Sequence, residues 1–226
     1  MDRKKFLKKG MTSLGAIVAI PTMIASCDSD DGNNENDPDA CGSSPVETAG
    51  PFPIKTPADL VRENIVGSKK GVALLIEFTI QNTNNNCAVL QGVFVDIWQC
   101  DAKGNYSEYS EQLDGNFTSE HFLRGRQTTD SNGNASFISI YPGWYPGRTP
   151  HLHVEVKTNS GSSLLITQVS FPENVSNMVY ATTEYKGSAD TNNSNDGIVG
   201  AANLSDSVMG NTTDGYTLKK IIKVAG

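Results

Sequence analysis

Leu90-Gln91-Gly92-Val93-Phe94-Val95-Asp96-Ile97-Trp98-Gln99 puts Val93, Val95 and Ile97 at alternate positions. Side chains along a strand point to opposite faces in turn, so a period of two marks a strand with one buried face. Similar short apolar runs recur on either side of it. Val72-Ala73-Leu74-Leu75-Ile76-Glu77-Phe78-Thr79-Ile80 lies N-terminal to it. Ser136-Phe137-Ile138-Ser139-Ile140 follows the turn Asp130-Ser131-Asn132-Gly133-Asn134, and Leu152-His153-Val154-Glu155-Val156-Lys157 precedes the turn Asn159-Ser160-Gly161. Runs at 164–171 and 216–224 complete the set. Regularly spaced short strands with Gly/Asn/Asp turns predict an all-β fold, an antiparallel β-sandwich with long irregular loops. Residues 174–181 read as a short helix, 107–120 as a loop, and the Gly/Asn/Ser/Asp-rich stretch 186–215 as mostly irregular. The roughly 185 residues from 41 to 226 are enough for one domain with a real core.

The first 40 residues have a different character. Arg3, Lys4, Lys5, Lys8 and Lys9 form a basic patch, and an apolar run from Met11 to about Ala25 follows. That run is too short for a spanning helix and has the layout of a secretory signal. It ends in Ile24-Ala25-Ser26-Cys27, which resembles a bacterial lipobox. Residues 1–26 are therefore expected to be a lipoprotein signal peptide, with Cys27 as the lipidated first mature residue and the chain's only link to a membrane. Residues 27–40 carry six acids and almost nothing to bury, and so read as a disordered tether. The expected location is outside the cytoplasm, periplasmic or cell-surface.

The whole chain has 18 Lys and Arg against 25 Asp and Glu. Without the signal, 13 bases face 24 acids, a net charge of −11. With no basic run in the body, nucleic-acid binding is excluded as a function class. Cys41, Cys87 and Cys100 remain in an oxidising compartment, which suggests one disulfide and one free thiol. If residues 87–100 were one extended segment, Cys87 and Cys100 would stand roughly 40 Å apart at ~3.3 Å per residue. Cys41 is then one partner, and either of the others can be the second.

The chemistry concentrates in Tyr141-Pro142-Gly143-Trp144-Tyr145-Pro146-Gly147-Arg148-Thr149-Pro150-His151-Leu152-His153. His151 and His153 are two apart on a strand, on one face and about 6.6 Å apart along the chain, a spacing that can grip a metal between them. Tyr145 precedes them through a Pro-Gly turn, and Tyr106 comes from a separate loop, Asp101-Ala102-Lys103-Gly104-Asn105-Tyr106-Ser107. Two phenolates and two imidazoles suit ferric iron, because a hard anionic oxygen stabilises the higher charge.

Longer words surround these residues. Glu47-Thr48-Ala49-Gly50-Pro51-Phe52 comes first, then the strand at 90–99 running into Cys100-Asp101, then Gly104-Asn105-Tyr106-Ser107. Phe122-Leu123-Arg124-Gly125 with Thr129-Asp130 and Gly133 leads into Ile140-Tyr141-Pro142-Gly143-Trp144-Tyr145 and the Arg148, His151, His153 group. In this order they resemble the intradiol ring-cleavage dioxygenases, the family of catechol 1,2-dioxygenase and protocatechuate 3,4-dioxygenase, over about residues 44–224. The resemblance implies a prealbumin-like sandwich and an Fe(III) site held by Tyr106, Tyr145, His151 and His153. It also implies a catechol-type substrate that reacts with O2 and opens to a muconate-type diacid, with Tyr145 released to act as a base. Arg148 matches the family's charge-stabilising arginine and Gln168 a supporting position. Trp144, Phe52 and Pro53 are candidate pocket residues, Tyr141 reads as packing and His121 as exposed loop.

The chain departs from the intracellular enzymes in its short connection from Tyr145 to Arg148 and in having no long N-terminal helical region. Substrate choice and assembly are therefore not implied. The competing reading is a non-catalytic prealbumin-like binding module on a surface lipoprotein. Such a module would share the turn and core words but would not require Tyr106 or the His-x-His pair.

Overall fold

A computed structural model describes residues 41–226. The expected signal peptide, Cys27 and the tether up to residue 40 lie outside the described residues. The alternating runs form two sheets. The first contains β1 (Ala73–Asn82), β2 (Ala88–Val89), β5 (Asn134–Ile140), β8 (Ser207–Asn211) and β9 (Gly215–Val224), with β1 flanked by β5 and β2 on one side and β9 on the other. The second runs in the order β4 (Arg124–Thr128), β3 (Phe94–Trp98), β6 (His151–Lys157), β7 (Ser163–Ser170). A short α-helix, α1 (Glu173–Tyr180), follows β7 where the short helix is expected.

The core lies between the sheets. Leu74, Ile76, Phe78 and Ile80 of β1 are buried at every second position, and Val95, Ile97, Leu152, Val154 and Val156 belong to the same cluster. Each such side chain contributes roughly 1.5–3 kcal/mol on burial. Period two then puts Trp98, His151, His153 and Gln168 on the opposite, outer face of the second sheet. That face carries a second small cluster of Trp98, Cys100 and Tyr106, against which Ala49, Phe52, Ile54, Tyr145 and Ile166 pack. The segment around residues 46–54 crosses it as a strap, with Glu47 N donating to Ile166 O at 2.8 Å.

Two expectations are corrected. The stretch 90–99 is not one strand: the chain leaves the first sheet after β2, turns at Gly92 (φ +79°), and enters the second sheet as β3. The sandwich is not wholly antiparallel, because β1 and β9 pair in parallel from Leu74↔Tyr216 to Asn82↔Val224. The stretch 186–215 is mostly irregular, as expected, and the strand inside it, β8, pairs with β9. Direction of pairing depends on how the chain returns from the second sheet, which alternation does not encode. β4, the strand Arg-Gly-Arg-Gln-Thr, has no apolar period, and its Arg126 is instead tied to buried Asp96 of β3 at 2.5 Å.

Cys41 pairs with Cys87, with Cα atoms 5.6 Å apart, and Cys100 is free and buried. Asn86 (φ +46°) and Cys87 (φ +55°) make a left-handed turn, so residues 87–100 are not one extended segment.

Candidate metal centre

Two loops and one strand build the site. β6 supplies His151 and His153, whose Nε2 atoms face each other at 3.2 Å. The tautomer of His151 follows from its partner: the Thr149 carbonyl can only accept, so Nδ1 carries the proton at 2.7 Å and the Nε2 lone pair faces the site. His153 is clamped from two sides. Trp98, its cross-strand neighbour, stacks on the ring with centroids 5.1 Å apart and planes 3° apart. On the other side Gly50 (φ +69°) lies so close that a Cβ there would be 2.9 Å from His153 Cε1.

Tyr106 follows a tight turn in which Asp101 Oδ1 accepts from Lys103 N at 3.0 Å and Asn105 N at 2.9 Å. Tyr145 follows Pro142-Gly143-Trp144. The two loops touch backbone to backbone. Gly143 N donates to Asp101 O at 3.1 Å, and a Cβ on Gly143 would lie 2.4 Å from that same oxygen. A Cβ on Gly104 would lie 2.4 Å from Trp144 O. Two glycines therefore let the loops interlock, which brings the Tyr106 and Tyr145 rings to 5.9 Å in an edge-to-face contact. Tyr145 reaches His151 Nε2 at 3.1 Å through its hydroxyl, and Tyr106 and His153 have ring centroids 6.2 Å apart. All four residues read from the sequence as ligands thus converge.

Burial dominates the electrostatics. It lowers His151 to about 4 and His153 well below the usual histidine range, with the neighbouring cationic groups adding to the effect. It raises Tyr145 to about 12 and Tyr106 well above 10, and Tyr145 adds to the push on Tyr106. The Tyr106 hydroxyl is buried and makes no hydrogen bond of acceptable geometry. Among the described residues no group of three His, Cys, Asp or Glu side chains converges, so any cation held here depends on the phenols. Two neutral imidazoles, that of His151 with its lone pair turned inward, and two desolvated phenols, Tyr106 buried and Tyr145 part-buried, fit a ferric ion.

Arg148 and Gln168 meet at the edge of the same site. Arg148 Nη2 donates to Gln168 Oε1 at 2.6 Å, Nη1 approaches the Tyr145 hydroxyl at 3.5 Å, and Nε donates to Asp196 Oδ2 at 2.9 Å. Gln168 is buried and its Nε2 donates to Thr48 O at 2.9 Å, so it ties the arginine to the strap. Asp196 also accepts from the backbone N–H groups of Thr149, Ile198 and Val199. Burial works against its charge, yet these hydrogen bonds, the Arg148 one foremost, hold its carboxyl below the usual range. The sequence reading missed Asp196: in Asn195-Asp196-Gly197 it carries only a turn signal. It also missed Gln112, whose Oε1 accepts from Tyr106 N at 2.8 Å.

Of the pocket candidates, Phe52 lines a mouth cavity of about 440 Å³ together with Gly104, Glu111, Gln112, Leu113, Tyr145 and Pro146. Trp144 does not: its Nε1 donates to Gly187 O, with Lys186 over its ring. Pro53 is also absent from that wall, and its carbonyl accepts from Tyr109. Tyr141 is fully buried packing bonded to Ser176, and His121 is part-exposed with Nδ1 on Glu108.

A family model described as "Dioxygenase" matches residues 50–214, most of the chain. A solved structure from Tetranychus urticae, titled intradiol ring-cleavage dioxygenase, is similar over 81% of this chain and 95% of its own, with TM-score 0.72 and 28% identity. The chain belongs to the intradiol ring-cleavage dioxygenase family. Another intradiol relative, the protocatechuate 3,4-dioxygenase beta chain of Burkholderia cepacia, is 32% identical over 90 residues, 37% of this chain and 38% of that one. The match therefore spans well under half of that curated relative. The dioxygenase domain of a carbohydrate-binding fusion protein from Streptomyces sp. SirexAA-E is 26% identical with TM-score 0.59, over 80% of this chain and 97% of its own. In this family setting, Tyr106, Tyr145, Arg148, His151, His153, Gln168 and Asp196 all fall inside the span matched by the family model.

Proposed function

We propose that the protein is an Fe(III)-dependent intradiol dioxygenase. It would take a catechol-type diol and O2, insert both oxygen atoms, cleave the ring between the hydroxyl-bearing carbons and release a muconate-type diacid. Tyr106, Tyr145, His151 and His153 would hold the iron. The observation that carries this reading is the convergence of a buried phenol, a half-buried one and two neutral imidazoles on one outer sheet face, with the Tyr106 hydroxyl left without a hydrogen bond. When bound, ferric iron supplies Lewis acidity toward the diol and a path for ring electron density toward O2.

The residues have distinct tasks. Of the four, Tyr145 alone lines the mouth cavity, so it meets an entering diol first. A phenol that burial sets at about 12 is a strong base once ionised, which suits Tyr145 to accept a diol proton at its oxygen. Arg148 aims a positive charge at that oxygen from a fixed mount, where it favours anionic forms of the substrate. Trp98 and Gly50 hold the His153 ring from its two sides, and Phe52 packs on the Tyr106 ring at the mouth.

An iron assay with an absorption spectrum tests the reading. A broad visible tyrosinate-to-iron band that shifts on anaerobic addition of catechol is expected, and Tyr145→Phe and His153→Ala should each lower iron content and ring cleavage. A protein that stays colourless after iron reconstitution sinks the proposal. We further propose export as a lipoprotein anchored through Cys27, periplasmic or cell-surface. The Cys41–Cys87 disulfide supports an oxidising compartment. Cys27→Ser should move the protein from the membrane fraction to the soluble one.

A further inference from the structure

The mouth cavity continues into two others. A second, of about 250 Å³, shares Leu113 with it. Gly104, in the mouth wall, keeps the floor between them low: a Cβ there would already come within 3.4 Å of Lys186 Nζ, which lines the second cavity. The second shares Lys103, Asp114, Thr183 and Glu184 with a third, of about 500 Å³, that ends at Lys69 and Lys70. Together the three make a groove that starts at Tyr145 and runs across the surface, far longer than one aromatic ring needs.

The lining of the groove selects among extensions. Counted along its whole length, lysines and carboxylates balance, so a charged tail would meet as much repulsion as attraction. Ammonium, carboxylate, amide and threonine hydroxyl groups together offer both donors and acceptors, which match hydroxyl groups. An aliphatic tail would match the apolar part of the lining but leave these polar groups without partners, and desolvating them is unfavourable. Leu113, 64% exposed at the junction, and the half-buried rings of Phe52 and Phe117 add apolar surface, which suits the carbon faces of a sugar ring.

We propose that the physiological substrate is a catechol bearing an uncharged, hydroxyl-rich group such as a glycosyl unit, joined to the ring by a short linker and bound along this groove. The inference rests on the dioxygenase reading for the catechol end only. Remote contacts of this kind can contribute to transition-state binding at the ring.

Three probes and a charged control test it on the iron-loaded full chain: catechol, 4-methylcatechol, a catechol carrying a glucosyl group at ring position 4 through a two-carbon linker, and, as control, a carboxylate-tailed catechol of the same length. kcat/KM is measured in air and Kd by anaerobic calorimetry. The conjugate should surpass 4-methylcatechol at least ten-fold in both, and Thr183→Trp, which fills the groove, should remove most of that advantage. Equal values for the two substituted catechols overturn the proposal, as does an advantage that survives Thr183→Trp. A carboxylate-tailed catechol of the same length that binds equally well overturns the uncharged assignment. If no probe is cleaved while the binding advantage and its loss in Thr183→Trp persist, the groove stands and the ring-cleavage reading fails.

Discussion

Gly143→Ala isolates the interlock between the two tyrosine loops. Gly143 does not occupy the left-handed region, so alanine has no backbone conflict there and the effect is steric. The new Cβ would lie 2.4 Å from Asp101 O and 2.6 Å from Ala102 O. Ordinary contact begins at 3.4 Å, so the Tyr106 and Tyr145 loops must separate by up to 1.0 Å. Both obstructing atoms are backbone, which cannot rotate away. Overpacking of this size costs typically 1–3 kcal/mol of stability. A misplacement of about 1 Å at a catalytic centre costs on the order of 100-fold in rate. The expected result is a folded protein with weakened iron retention, a blue- or red-shifted tyrosinate band and kcat/KM for catechol down about 100-fold. Gly147→Ala is the control. Gly147 is left-handed (φ +81°) with nothing within 4 Å, so alanine should cost about 1 kcal/mol in stability and leave the iron spectrum unchanged. Wild-type iron content, spectrum and turnover in Gly143→Ala would refute the claim that this backbone contact sets the tyrosine pair.

Asp196→Asn should lower kcat/KM about 10-fold while iron content stays at the wild-type level, because it loosens the Arg148 mount without touching a proposed ligand; parallel loss of iron would contradict that role. Reducing the Cys41–Cys87 bond frees a loop with a sequence separation of 46 and should lower unfolding free energy by about 4 kcal/mol in denaturant titrations. Acid should destabilise the iron-free protein from the histidines alone. His151 is held at about 4 and His153 well below the usual histidine range, whereas both take up protons near 6.5 when unfolded, so the unfolded state binds more protons as pH falls from 6.5 toward 4. Tm of the iron-free form should therefore fall as pH drops from about 6.5 toward 4, and a flat profile would show that the rings are not buried neutral.

Much of the candidate site was legible because its signals are local. The His151, His153 spacing needs only the period of a strand. Gly104 and Gly143 stand beside their tyrosines in words that resemble those of a family, and Arg148 is three residues from His151. The helix at Glu173–Tyr180 and six of the nine strands among the described residues also declared themselves through apolar runs. The three strands that were missed carry no apolar period: β2 is a two-residue pair, both exposed. β4 buries Arg124, and β8 is a short edge with an exposed Met209.

What the sequence determined by itself was therefore the short-range part: strand periodicity, turn chemistry, and which residue types could share a metal. Tertiary structure decided what depends on chain return. It chose Cys87 over Cys100 for Cys41 by making a left-handed turn at residues 86–87. It set β9 parallel to β1, and it placed Asp196 from a polar loop under Arg148, 48 residues away. Local propensity acts over a few residues, whereas these pairings are settled by which surfaces the two packed sheets bring together.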